Sequence, residues 1–260
     1  MSPANIIYEQ PLNEHVRFCL RLEYLFQKLK HYHDDESSWG SRIILETILE
    51  ILSVVDRPDL KTKLSKALSL YAVPLAQLIQ KQQLIKDAEQ QKIEKLFAEL
   101  NELVEELHAN RSKIGHKLRE NDFIATIVQR TTIAGGTSAF SVPAYHLWLE
   151  LPIEVRRKDI NQWIESFAEI KKLIDLVLQL TRKSAVFQTV EAKKGFYQLS
   201  LDTKISFQMI RIALPSCNAI YPEVSVGKHR LSVHFYELNT LGRPAQAIGD
   251  IKFNLACCKI

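Results

Sequence analysis

The apolar residues of this chain change their period partway along it, and that change constrains the fold more than any other feature. Through the first 120 residues they recur at spacings of three and four, which lines one face of a helix. From Phe187 onward they alternate with polar residues, the pattern of a half-buried strand. A helical run followed by a run of strands predicts an α+β fold: an N-terminal helical bundle domain plus a mainly antiparallel β-sheet domain.

The helical part divides at its caps and breakers. In "PLNEHVRFCLRLEYLFQKLK", Phe18, Leu22, Leu25, Phe26 and Leu29 share a face, with Asn13 as N-cap. Ser41 is placed to cap a second helix running to about Val55, whose apolar side holds Ile44, Leu45, Ile48, Leu49 and Leu52. Pro58 suits the first turn of a third helix reaching about Tyr71. Leu75 to His108 contains neither Gly nor Pro and carries a stripe at Ile93, Leu96, Phe97, Leu100, Leu103, Val104 and Leu107. That predicts a helical hairpin broken near Lys86–Gln90.

The middle of the chain mixes signals. Asp122 is placed to cap the short helix "FIATIVQR", and "AGGTSAF" supplies a Gly-Gly turn. In "PAYHLWLELP", Tyr145, Leu147 and Leu149 alternate with His146, Trp148 and Glu150. This predicts a strand with an imidazole, an indole and a carboxylate in a row on its outer face. After Pro152, the residues Ile160, Trp163, Ile164, Phe167, Ile170, Ile174, Val177 and Leu178 predict one long helix ending near Lys183. The strands "GFYQLSL", "KISFQMIRIAL", "RLSVHFYEL" and "DIKFNLACC" follow, separated by the connections "LPSCNAIYPEV", "SVGKH" and "NTLGRPAQAIG". The predicted division is a helical domain of residues 1–120 and 153–184, and a β domain of residues 121–152 and 185–260.

Motifs for catalysis and cofactors fail. G-x-S-x-G, G-x-x-x-x-G-K-[ST], H-E-x-x-H and G-x-G-x-x-G do not occur. No catalytic residue, no cofactor and no metal is expected, and the chain is read as not an enzyme. "HYHDDE", His31 to Glu36, has the residue types of a metal site, but consecutive residues past a helix end suit a solvated loop better. Cys19, Cys217, Cys257 and Cys258 lack C-x-x-C spacing and read as reduced thiols. No apolar run is long enough to span a membrane, and "MSPANIIYEQPLNEH" is unlike a signal peptide, so no membrane partner is expected and the compartment is the cytoplasm.

Charge is more informative. Residues 185–260 hold nine Lys/Arg against five Asp/Glu, which is the whole net charge of +4. Such an excess is small for bulk nucleic-acid binding and sufficient for a local patch that attracts a short anionic segment. On the first helix, Arg17, Arg21 and Lys28 lie within about 40° of one another. On the late strand, Lys228, Arg230, Ser232, His234 and Tyr236 share a face, opposite Leu231, Val233 and Phe235. A basic row of this kind is suited to carboxylates. The row His146, Trp148, Glu150 fits a peptide-binding surface or an inter-domain contact better than catalysis, because no nucleophile is placed beside it. Two rival functions stay open: a nucleic-acid-binding module using the same strips with stacking aromatics, and a hydrolase built on His146 with a Ser or Cys nucleophile.

Five stretches, in order, resemble blocks of the ZapD (Z-ring-associated protein D) family. They are "PLNEHVRFCLRLEYL", "QRTTIAGGTSAFSVPAYHLWLELP", "GFYQ", "YPEVSVGKHRLSVHF" and "FNLACC". The resemblance implies a cytoplasmic, non-enzymatic bacterial cell-division protein acting at the mid-cell division site. It implies a homodimer with a helical and a β domain that binds the acidic C-terminal tail of FtsZ through basic surfaces and bundles its filaments during septation. Carried onto this chain, the implied tail-binding residues are Arg17, Arg21, His146, Lys228 and Arg230, together with His234 and Arg130, and apolar anchoring is expected near Trp148. His234 stands where relatives often carry arginine, and Asp122 where they can carry a basic residue, two departures that bear on affinity for an acidic peptide.

Overall fold

The computed structural model describes residues 5–57, 60–80, 87–109, 112–216 and 219–259, with side chains except at 67, 74–80, 87–93 and 107–108. In chain order the elements are β1 (Asn5–Pro11), α1 (Glu14–Tyr32), α2 (Ser38–Val55), α3 (Leu60–Gln80), α4 (Asp87–Ala109), α5 (His116–Arg119) and α6 (Asp122–Thr131). Then come α7 (Pro143–Glu150), α8 (Ile153–Glu165), α9 (Ala168–Lys183), β2 (Gln188–Ala192), β3 (Phe196–Ser200), β4 (Phe207–Pro215), β5 (Ile220–Val226), β6 (Arg230–Glu237), β7 (Ala245–Gln246) and β8 (Ile251–Lys259). The fold is α+β, with helices through the N-terminal part and antiparallel sheets in the C-terminal part.

The chain forms two compact units, residues 18–176 and residues 1–17 with 177–260. Both differ from the predicted bounds. Residues 121–152 hold the helices α6 and α7, joined by turns, and belong to the first unit, while the N-terminal strand β1 belongs to the second.

The helical unit buries the predicted stripes: Leu22, Leu25, Phe26 and Leu29 of α1, and Ile44, Leu45, Ile48 and Leu52 of α2. The caps shift. Asn13 does cap α1, its Oδ1 accepting from Val16 N at 2.9 Å. For α2 the cap is Ser37, whose Oγ accepts from Gly40 N at 2.9 Å, and not Ser41. Ser41 is buried within the helix and takes a hydrogen bond from Arg156 Nη1 at 2.6 Å. For α6 the cap is Asn121, not Asp122, which instead places its acid in the first turn, where the helix dipole favours it. The predicted starts at Pro58 and part of the break before Gln90 fall outside the described residues; α3 runs past Tyr71 to Gln80 and α4 begins at Asp87. The predicted long helix after Pro152 is two, α8 and α9, parted at Ser166–Phe167. Phe167 is fully buried at that break, so the apolar pattern continues while the backbone turns.

The largest correction is "PAYHLWLE", which is the helix α7 and not a strand. Pro143 sits at its first position, where a fixed φ and a missing N–H cost nothing. Its buried residues are Tyr145, Trp148 and Leu149, a helical spacing of three and four, while Leu147 is 64 % exposed. The period of two was therefore coincidental, and His146 and Trp148 point to opposite sides.

In the second unit, β1-β4-β8-β2 form one antiparallel sheet and β3-β6-β5 another, with β7 added beside β6. The strands predicted from "GFYQLSL", "KISFQMIRIAL", "RLSVHFYEL" and "DIKFNLACC" are β3, β4, β6 and β8. β5 lies within a segment read as a connection, and β1 and β2 lacked a clear alternation. One core joins the two sheets: Ile210, Ile212 and Leu214 of β4, Leu231, Val233 and Phe235 of β6, and Phe253 and Leu255 of β8. The Phe235 and Phe253 rings meet across it at 4.9 Å between centroids. Burying such side chains contributes about 1.5–3 kcal/mol each, so this core holds the outer face of β6 in fixed register.

Candidate functional site

On β6 the inward residues Leu231, Val233 and Phe235 are buried, and the outward row is Arg230, Ser232, His234 and Tyr236, as the alternation predicts. Lys228 precedes the strand in the turn "GKHR", where Gly227 N donates to Arg230 O at 2.9 Å and closes the β5–β6 connection. Lys228, His229 and Arg230 are exposed there, and among the described residues none has an ion-pair partner. His234 is different. Its ring lies 4.7 Å from that of Phe196, its cross-strand neighbours are Phe196 and Glu223, and its buried Nδ1 has no hydrogen-bond partner among the described residues. The row is thus basic at its Lys228–Arg230 end and mixed at His234, where Glu223 adds an acid from the next strand.

Arg17 and Arg21 lie one helical turn apart on α1. Glu14, largely exposed, pairs with the partly exposed Arg17, an arrangement worth little and readily exchanged for another carboxylate. Arg21 is exposed with no ion pair among the described residues. Arg130 is exposed in the last turn of α6, and its carbonyl explains the Gly-Gly pair that follows. Gly135 adopts φ +68°, and a Cβ on Gly136 would stand 2.1 Å from Arg130 O. This is a chain reversal after a helix, not a hairpin turn.

His146 is exposed on α7. Trp148 is not a surface anchor: it is 6 % exposed, and its Nε1 donates to Asp159 Oδ2 at 2.9 Å. Its ring packs in a cluster with Trp163 at 5.3 Å, Phe123 at 6.0 Å and Tyr145 at 6.1 Å. Trp148 and Trp163 line a cleft of about 800 Å³. Glu150 ends α7 on its exposed side.

One group on this unit was not singled out from sequence. Arg42 of α2 sits with its guanidinium carbon 5.2 Å from the Trp39 ring centre and 5.0 Å from that of Tyr145. The available signal was "WGSR": a tryptophan and an arginine three apart on the polar side of an apolar helix.

Of the "HYHDDE" residues, His33 hydrogen-bonds Asn161 at 2.9 Å and Asp34 at 3.2 Å, and Asp35 accepts from Ser37 N at 2.9 Å. These side chains organise the loop before α2. No cluster of three potential metal ligands occurs among the described residues. No helix among them is long and apolar enough to cross a membrane.

Fold and surface define a two-unit α+β protein that displays its positive charge as separate basic groups on helices and on one strand face. The family model described as "ZapD: Cell division protein" matches residues 20–234. A cell division protein ZapD of Coxiella burnetii is 37 % identical over 262 residues, covering 100 % of both chains. Those of Methylococcus capsulatus and of an Azoarcus species are 33 % and 34 % identical, covering 97 % and 98 % of this chain and 98 % and 100 % of theirs. The chain belongs to the ZapD family of cell division proteins.

Proposed function

We propose that this chain binds the acidic C-terminal tail of FtsZ through its exposed cations and, as a homodimer, cross-links FtsZ filaments into bundles at the cytoplasmic face of division, without catalysing a reaction. The observation that carries this reading is the turn at 227–230, where Lys228, His229 and Arg230 are exposed with no ion-pair partner among the described residues. A rigid core beneath β6 holds this turn in place, so little order is lost when a carboxylate docks. Arg21, and Arg17 after release from Glu14, offer further cations of the same kind, and Arg130 and His146 are exposed on the helical unit. His234 belongs at the edge of the site, since Glu223 stands beside it.

A disordered tail loses entropy on capture, so one site binds weakly. Filaments present many tails, and a dimer with two equivalent sites gains by avidity and bridges neighbours. The test is a titration of the intact chain with a labelled synthetic FtsZ tail at low and at high salt. Affinity falls as salt rises, and a Lys228→Glu, Arg230→Glu variant loses it at low salt. Salt-independent binding, or wild-type affinity in that variant, contradicts the reading.

A further inference from the structure

The polar side of α2 carries a cation that its surroundings hold but do not neutralise. Arg42 lies between the Trp39 and Tyr145 rings at 5.2 and 5.0 Å, inside the roughly 6 Å range of a cation–π contact. Its Nη1 donates to Thr137 Oγ1 at 3.3 Å. A guanidinium has five N–H donors in a planar fork, and no other partner meets them among the described residues. Glu46, one turn along α2, is exposed and forms no ion pair with Arg42. The fork is therefore oriented in advance by two rings and a hydroxyl, with donors left open.

The neighbourhood supplies the rest of a binding surface. α2 buries Ile44, Leu45 and Ile48 completely, yet its Trp39 is 70 % exposed. Tyr145 is 1 % exposed, and its hydroxyl has no hydrogen-bond partner among the described residues, so a buried polar atom is also left unmet in the ring that Arg42 covers. Next to Tyr145 on α7, His146 and Leu147 face solvent, and Phe140, just before that helix, is 87 % exposed. A purely apolar partner would leave the Arg42 donors unmet. A nucleic-acid backbone would run an unbroken row of phosphates past the exposed acids Glu46 and Glu150 on the same two helices, whereas a peptide can set a single carboxylate on the fork. A peptide with an apolar side chain near a carboxylate matches both features: carboxylate on the Arg42 fork, apolar side chain against Trp39 and Leu147.

We propose that Arg42, clamped by Trp39 and Tyr145, is the carboxylate-binding residue of a peptide site on the α2–α7 face, and that the FtsZ tail is its occupant. This rests on the tail-binding reading above and adds to it an aromatic-framed arginine in place of the expected anchor at Trp148. His146 gains a defined neighbourhood, as an exposed donor beside the apolar part of the site.

The experiment is calorimetric titration of the intact protein with the synthetic FtsZ tail, for wild type, Arg42→Gln, Arg42→Lys, Trp39→Phe and Arg230→Glu, each with a wild-type circular dichroism spectrum. Arg42→Gln weakens binding roughly ten- to a hundredfold, the range for losing charge-assisted hydrogen bonds. Arg42→Lys recovers part of that loss, because a lysine keeps the charge but not the fork. Wild-type tryptophan emission changes on adding peptide, and the change is absent in Trp39→Phe. Wild-type affinity in both Arg42 variants overturns the proposal while leaving tail binding intact. Loss in Arg42→Gln with none in Arg230→Glu upholds it and removes the hairpin assignment instead. No binding by wild type overturns both.

Discussion

The Trp148 indole donates its Nε1 hydrogen to Asp159 Oδ2 at 2.9 Å, tying α7 to α8 and turning the tryptophan into the helical unit. The bond satisfies the one polar atom of a buried indole and gives Asp159 a fixed donor. A residue suggested by sequence as a surface anchor is thus a packing residue, and the exposed tryptophan on this unit is Trp39.

Trp148→Phe keeps most of the ring but deletes the donor. It is predicted to destabilise the protein by about 1–2 kcal/mol, read as a lower thermal midpoint, with tail affinity unchanged. A large loss of affinity with unaltered stability would return Trp148 to the binding surface.

Arg156 is a buried cation held by neutral acceptors. It donates to Leu151 O, Ser37 O, Ser41 Oγ and Glu36 O at 3.0, 3.1, 2.6 and 2.8 Å. Lysine keeps the charge but cannot reach four acceptors from one plane, so Arg156→Lys is predicted to cost about 2–4 kcal/mol in denaturant unfolding. A neutral outcome would mean that the loop before α2 does not depend on this fork.

Glu9 of β1 accepts from Arg182 at 2.9 and 2.6 Å and from Arg211 at 2.9 Å. Burial pushes its carboxyl up, but the hydrogen bonds and charges of Arg182 and then Arg211 outweigh it and leave the group below its ordinary value of 4.5. A depressed folded value stabilises the protein above the unfolded one, and the stabilisation is lost as pH falls through the folded value. Glu9→Gln is therefore predicted to cost about 1–3 kcal/mol at neutral pH. The gap between variant and wild type closes as pH is lowered below 4.5. A gap independent of pH would place the effect in packing.

The two adjacent glycines after α6 make a paired prediction. Gly135 has a positive φ with open space around it, whereas a Cβ on Gly136 meets the Arg130 and Ile133 carbonyls at 2.1 and 2.9 Å. Gly135→Ala should cost about 1–2 kcal/mol of backbone strain, and Gly136→Ala more, because backbone must move. Equal melting temperatures would show that this turn is not held against α6.

Legibility in the sequence follows from how many signals agree. β6 was readable because alternation, β-branched and aromatic residues and a glycine turn all coincide in "GKHRLSVHFYE". α7 was not, because Tyr145, Leu147, Trp148 and Leu149 satisfy both periods over eight residues. Only packing against Phe123 and Trp163 selects the helix. β1 was missed because "NIIYEQP" is short and half exposed, and its strand character comes from pairing with β4, some two hundred residues away. The same limit applies to sites. Cations carried on a regular face, such as Arg17, Arg21 and Lys228–Arg230, can be read from spacing. Arg42 acquires meaning only when α7 brings Tyr145 beneath it.

Bundling tests the central claim most directly. FtsZ polymers are sedimented at low speed with wild type and with an Arg21→Glu, Arg230→Glu variant whose fold is checked by circular dichroism. The account predicts that wild type pellets with bundled polymer and that the variant remains in the supernatant with polymers unbundled. Equal pelleting and bundling by both proteins would contradict it.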